Sequence, residues 1–347
     1  MVDFSTTAAK TVIPAKEFAK IVVTWQQQHG RNDLPWQQHN DPYHVLVSEL
    51  MLQQTQVTTV IPYFERWLQR FPDVTTLAAA EEQEVMAHWQ GLGYYRRARN
   101  LHAAAKTIVA DYAAQIPEQA VELREIPGIG PYTVGAIRSF AFNAPAAIVD
   151  GNVKRLFARL FMLPYAVNHS ANDRYFWELA EHYTPTSQNR RFAQGLLDLG
   201  ATICKPKQPL CHACPLQSRC RTYANACVED YPKRKQKKAI PTKTGHFLLA
   251  INRFGVCLEQ RPANGIWPSL WCLPEVSQAP DAELGYEFNH TFSHYKLAGK
   301  VWLAEPATTT GNLMQVPYSD LADYGLPAPI RKLLAKIDWD EVCNTKQ

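Results

Sequence analysis

Four cysteines, Cys204, Cys211, Cys214 and Cys220, fall in one short segment with the pattern Cys-x6-Cys-x2-Cys-x5-Cys. A shared metal would tie four points of that segment together, and no other feature constrains the fold as strongly. The spacing is too tight for a relaxed disulfide framework, so a metal site is the better reading. Four thiolates suit tetrahedral zinc or a [4Fe–4S] cluster, and spacing alone does not choose between them. Lys205 and Lys207 lie between the first two cysteines, so the braced loop would carry positive charge. Cys227, Cys257, Cys272 and Cys343 are scattered and read as ordinary small core or surface residues.

The pattern on the two sides of this cluster differs. Upstream, apolar residues recur with helical period over 16–29, 43–55, 59–70, 82–89, 96–112, 118–124, 132–140, 153–160, 173–183 and 189–203. Downstream, 231–238 is a basic, proline-bounded run that reads as a linker. Alternation then predicts strands over 246–251, 256–259, 287–295 and 300–304, and a last helix over 330–337. The expected organisation is a helical region 1–223, a basic linker 224–244 and an α+β region 245–347. With 347 residues and 46% hydrophobic content, the chain can build more than one core. The N-terminus lacks a basic segment followed by an apolar run, and no stretch of 18 apolar residues occurs. A soluble, cytoplasmic protein without a membrane partner is expected. The formal net charge of +4 permits a nucleic-acid partner without demanding one.

Four segments carry chemistry. In Pro127-Gly128-Ile129-Gly130-Pro131-Tyr132, two glycines let the backbone turn sharply between helices. The turn exposes successive amides at a helix start, which suits a phosphate. A helix-hairpin-helix over about 118–140 grips a nucleic-acid backbone without reading bases. On the helix over 43–55, Val45, Glu49 and Leu52 share a face; a carboxylate carried inward on such an apolar stripe would have a raised pKa, and one at the stripe's edge would reach water. Asp150 stands at the start of the helix over 153–160, where the dipole and backbone amides favour its ionised form. A carboxyl kept protonated beside one kept ionised is the recurring arrangement of glycosidic cleavage. Segment 91–97, with Gly91, Gly93, Tyr94 and arginines, suits contact with bases and phosphates.

The hairpin, Asp150 and the cysteine pattern together resemble the endonuclease III superfamily of DNA glycosylases. That resemblance implies a [4Fe–4S] cluster rather than zinc at Cys204, Cys211, Cys214 and Cys220. Segments 48–57, 91–95 and 149–153 narrow the resemblance to the MutY-type adenine DNA glycosylases, and it covers nearly the whole chain after residue 15. The fold it implies is multidomain: an all-α helix-hairpin-helix core with the cluster loop at 204–220, then an α+β Nudix-like recognition domain. The activity it implies is removal of adenine opposite 8-oxoguanine or guanine in double-stranded DNA, by a monomer, in base excision repair. Glu49 matches the acid that protonates adenine, and Asp150 the carboxylate that supports the cationic sugar. Tyr132 and Asn152 match residues that support the pair. Gln54 and Tyr94 would enter the duplex, Trp36 would line the adenine pocket, and Gly128 and Gly130 would hold backbone phosphate. Phe292-Ser293-His294 resembles the 8-oxoguanine sensor; the Ser293 hydroxyl both donates and accepts.

Some residues separate alternatives within that resemblance. Bifunctional relatives carry a lysine where Tyr132 stands, and a tyrosine cannot form the imine that cuts the strand. This disfavours an endonuclease III-like glycosylase/lyase. The Glu49–Asp150 pair disfavours a non-enzymatic DNA-binding module. Asn32 and Gln37 stand where many relatives have arginine, and Asp198 where some have glutamate. Of the Nudix run that binds catalytic metal, only Arg261 and Pro274-Glu275 remain, so no phosphohydrolase activity is expected.

Overall fold

A computed structural model describes residues 9–235, 239–262, 264–292, 294–305 and 313–339; Ser293 and Cys343 lie outside them. The chain forms two compact units that a single cut does not separate. The first takes in the chain up to Ala78 and resumes at Ala103; the second joins Ala79–His102 to the chain beyond the linker.

The first unit is helical. Asp41 caps the helix Pro42–Leu52, its carboxylate accepting from the Tyr43 amide at 2.7 Å, with proline at the first helical position. Its core gathers Phe18, Phe157, Tyr183 and Phe192, all buried, with the Phe18 and Tyr183 rings 4.7 Å apart. Tyr183 resolves its one polar atom by donating to the Ala9 and Ile13 carbonyls. The hairpin lies between helices Ala120–Glu125 and Pro131–Ala136. Gly128 has φ +80°, a conformation that a side chain disfavours.

Two predicted helices prove composite. The helix expected over 132–140 changes at Ile137–Ala141 to the wider π geometry, and the one over 189–203 does so at Leu199–Ile203. Hydrophobic periodicity does not register one widened turn. Just before the first of these turns, Gly135 lies against the segment leading to Asp150. A Cβ there would stand 2.0 Å from the Ala147 carbonyl oxygen. The start of the basic run is not a free tether either. Lys233 O accepts from the Val167 amide at 3.1 Å, and Lys235 exchanges hydrogen bonds with the Asn168 side chain.

The second unit is built on a seven-stranded sheet of order β3-β2-β1-β6-β5, with β4 also on β1 and β7 also on β2. The strands are β1 Thr242–Asn252, β2 Gly255–Gln260, β3 Trp271–Cys272, β4 Glu275–Val276, β5 Leu284–Thr291, β6 Lys296–Ala304 and β7 Leu313–Val316. β1 and β6 run parallel, from Thr242 opposite Lys296 to Ala250 opposite Ala304. The helix Ala328–Leu334 buries Ile330, Leu333 and Leu334 against this core. The strand expected over 287–295 stops at Thr291. Phe292 and His294 instead belong to a turn closed by the Phe292 amide donating to Tyr295 O at 2.9 Å.

Candidate active site

The helix Pro42–Leu52 is apolar on most sides, and its Glu49 side chain is carried inward with Val45 and Leu50 to 5% exposure. Burial pushes the Glu49 carboxyl up to about 7, against a hydrogen bond from Tyr132 that favours the carboxylate; nearby Asp150 pushes it further up. Tyr132, on the second turn-helix of the hairpin, is held as a phenol. Burial first, and the two carboxylates next, keep its pKa well above the usual value.

Asp150 caps the helix Gly151–Leu160. One carboxylate oxygen accepts from the amides of Asn152 and Val153 at 2.8 and 2.7 Å, the other from the Asn152 side chain at 2.8 Å. Burial raises its pKa, and those three donors with nearby Arg155 oppose the rise. Three N–H donors aimed at Asp150, against one hydroxyl at Glu49, favour Glu49 as the member of the pair that keeps a proton. Asn152 is fixed in turn: its side-chain oxygen accepts from Arg155 Nη2 at 2.8 Å. Arg155 also donates to the carbonyls of Gly200 at 2.7 Å and Cys204 at 2.8 Å.

Glu49 opens onto a cleft of about 560 Å³. Trp36, Asn32, Gln37, Arg191 and Gln194 are among its lining residues. Trp36 is only 7% exposed and stands edge-on to Phe64. Asp198 is buried behind this wall, where Arg31 reaches it with Nη2 at 2.7 Å and Nε at 2.8 Å and Gln194 donates at 2.8 Å. Asn32 accepts from Gln26 at 2.7 Å. Sequence reading does not single out Arg31, Gln194 or Arg191. They come from segments more than a hundred residues apart, and no local pattern marks them.

The remaining expected contact residues lie on turns. Gln54, just past the end of the Glu49 helix, is exposed and left-handed with φ +59°. Tyr94 is 60% exposed with φ +48°. Such backbone in non-glycine residues costs about 1 kcal/mol each. Arg97, by contrast, is 6% exposed and directed into its own loop. In the second unit the Phe292 ring packs on His290 at 4.6 Å and Trp267 at 5.6 Å, and His294 is exposed. Gly130 has φ −88°, and a Cβ there would meet nothing within 4 Å. Packing therefore does not account for a glycine at that position.

Cys204, Cys211, Cys214 and Cys220 are free thiols lining one cavity, with Leu156, Arg159 and Leu216 around them. The buried Arg159 donates to the Cys204 sulfur at 3.5 Å and to the Lys205 carbonyl at 2.7 Å. Among the described residues, no three His, Cys, Asp or Glu side chains are grouped to hold a metal ion. The two Nudix fragments pair with each other, Arg261 Nη2 lying 2.6 Å from Glu275 Oε2. No helix among the described residues is long and apolar enough to cross a membrane.

Residues 47–182 match the HhH-GPD superfamily base excision DNA repair proteins, and residues 246–336 match the NUDIX domain. An adenine DNA glycosylase from Buchnera aphidicola is 34% identical over 340 residues, covering 92% of this chain and 96% of that protein. The Mus musculus adenine DNA glycosylase is 39% identical over 404 residues, covering 94% and 75%. Among solved structures, a thermostable thymine-DNA glycosylase superposes with a TM-score of 0.56 at 30% identity, covering 61% of this chain and 97% of its own.

Proposed function

The chain belongs to the adenine DNA glycosylases of base excision repair, and on that premise we propose that it hydrolyses the N-glycosidic bond of adenine paired with 8-oxoguanine or guanine in double-stranded DNA, acting as a monomer and without cutting the strand. The observation that carries this reading is the buried Glu49, protonated to about pH 7, hydrogen-bonded by Tyr132 and facing Asp150.

The adenine leaves the stack at a cost of a few kcal/mol and enters the cleft beside Trp36. Glu49 gives its proton to N7, which makes adenine a better leaving group. As the C1′–N9 bond breaks, positive charge grows on the sugar. The Asp150 carboxylate, which accepts from three N–H donors, stabilises that charge. Glu49, now a carboxylate, takes a proton from the attacking water, whose oxygen bonds to C1′. Tyr132 keeps Glu49 in place and, lacking an amine, forms no imine. Gln54 and Tyr94 fill the gap in the duplex, and Gly128 and Gly130 hold phosphate. Phe292, Ser293 and His294 inspect the opposite base.

The four cysteine thiols would hold a [4Fe–4S] cluster. Their common cavity and the Arg159 guanidinium on Cys204 suit an anionic cluster. So held, it would brace the loop carrying Lys205 and Lys207. Single-turnover assays on A:8-oxoguanine, A:G and thymine-glycol duplexes, read with and without alkali, test the whole reading. Adenine release that needs alkali for strand scission is expected. Spontaneous scission, or preference for thymine glycol, would overturn it.

A further inference from the structure

We propose that Tyr95 and Arg99 are positioning residues that fasten the Tyr94 turn to the body carrying Phe292 and His294, so that the residue entering the duplex and the surface inspecting the opposite base are held as one piece. The inference rests on the reading above in which Tyr94 enters the duplex.

The Tyr94 turn is tied to its own helix first. Trp89 Nε1 and Arg97 Nη2 both donate to the Gly93 carbonyl at 3.1 Å, and Arg97 Nη2 also reaches Leu92 O at 3.1 Å. Arg97 lies over the Trp89 and Tyr94 rings at 5.4 and 5.6 Å. This makes the turn stiff and leaves open what the turn as a whole is attached to.

Tyr95 and Arg99 answer that. Tyr95 directly precedes the helix Arg96–Asp111, and Arg99 lies in its first turn. The Tyr95 hydroxyl donates to Leu326 O at 3.2 Å, and its ring packs on the core of the sheet. Arg99 Nη1 donates to the Pro268 carbonyl. Met86 stands by Gly325, where a Cβ would come within 3.2 Å of the Met86 Cβ. Both hydrogen bonds end on main-chain carbonyls of the C-terminal segment. Leu326 is 2% exposed, so its carbonyl is a fixed acceptor.

The Pro268 anchor leads on to the inspecting turn. Its neighbours Trp267 and Ser269 are left-handed, with φ of 50° and 60°. The Trp267 ring lies tilted 5.6 Å from both the His290 and Phe292 rings, and Phe292 lies 6.2 Å from His294. A continuous path therefore runs from Tyr95, next to Tyr94, through Arg99, whose amide donates to Tyr95 O at 3.1 Å, and through Pro268 and Trp267 to Phe292. A base held between two such elements is measured well only if their separation is constant. Loosening either anchor should blur the distinction between 8-oxoguanine and guanine without touching bond cleavage.

The test uses the full chain with Arg99→Met, Tyr95→Phe and the double variant, beside Tyr94→Ala. Single-turnover rates on A:8-oxoguanine and A:G duplexes are compared, with 2-aminopurine fluorescence next to the opposite base reporting insertion and thermal midpoints reporting fold. Each anchor variant should lower the A:8-oxoguanine to A:G rate ratio about fivefold, the loss of one hydrogen bond. The A:G rate and thermal midpoint should stay near those of the unaltered chain. The double variant should approach Tyr94→Ala in both ratio and fluorescence. An unchanged ratio in the anchor variants, while Tyr94→Ala lowers it, overturns the proposal and leaves the Tyr94 reading standing. An unchanged ratio in Tyr94→Ala removes that reading and this one with it. A fall in both rates in step with the midpoint means the anchors serve the fold alone, which also overturns the proposal.

Discussion

At Glu49 the same burial that holds a proton up to about pH 7 costs stability. The carboxyl sits at about 7 in the folded chain against an ordinary 4.5, so between those values the folded form binds more protons than the unfolded one. The stability of the neutral form is fully present below about pH 4.5 and is lost as pH rises through about 7, a span worth roughly 3 kcal/mol. Glu49→Gln mimics the neutral form. Its thermal midpoint should exceed that of the native chain at pH 8, and the difference should vanish near pH 4.5. Equal midpoints at pH 8 would mean that Glu49 reaches solvent. Catalysis follows the same titration: single-turnover excision should decline as pH rises past about 7, and Glu49→Gln should abolish it while retaining DNA binding. Asp150→Asn poses a different case. Asparagine caps a helix as well as aspartate does, so the fold should stand. The lost charge should slow excision by about a hundredfold or more, and a rate near that of the native chain would remove Asp150 from its role.

Among the elements, the hairpin and the cysteine loop make separable predictions. Gly128 needs its positive φ, so Gly128→Ala should destabilise the chain by about 1 kcal/mol. Gly130 needs neither its φ nor its space for the fold. Gly130→Ala should keep the thermal midpoint and weaken binding to undamaged duplex, because a methyl group would stand in the space proposed for phosphate. Unaltered DNA affinity would mean that the hairpin does not touch the backbone there. The purified chain should be brown and contain iron rather than zinc, and Cys204→Ser should bleach it. Arg155 gives this loop a further consequence. It links the Cys204 carbonyl to Asn152, and Asn152 bonds Asp150, so disorder at the first cysteine reaches the carboxylate through two hydrogen-bonded side chains.

On the scale of the whole molecule, the proposed removal of adenine, a normal base, calls for proof of damage in its partner. The unit that joins Ala79–His102 to the C-terminal sheet contains both Tyr94 and the Phe292 turn. Deleting residues 225–347 removes one and unseats the other, since Tyr95 and Arg99 lose their acceptors. Excision at A:G should survive in part, and the preference for A:8-oxoguanine should fall by more than the triple alanine change at 292–294 produces. Equal losses would place the whole effect in that turn.

What could be read along the chain was chemistry whose cause is local. The spacing of Val45, Glu49 and Leu52 placed a carboxylate on an apolar stripe, and that carboxylate is buried. An aspartate before a helical stretch became a cap because capping involves only the next three residues. Alternation marked the long strands, but it ran on through Phe292 and His294, because a turn can continue a period of two without belonging to a strand. The two π turns escaped for the same reason: apolar spacing changes little when one helical turn widens. Tertiary structure alone decided that Tyr132 would meet Glu49, and that Arg31 would close on a buried Asp198 from far along the chain. It alone decided that Ala79–His102 would leave the other helices for the sheet. Those pairings depend on which apolar faces cover one another and on main-chain carbonyls as acceptors, and a carbonyl carries no sequence mark.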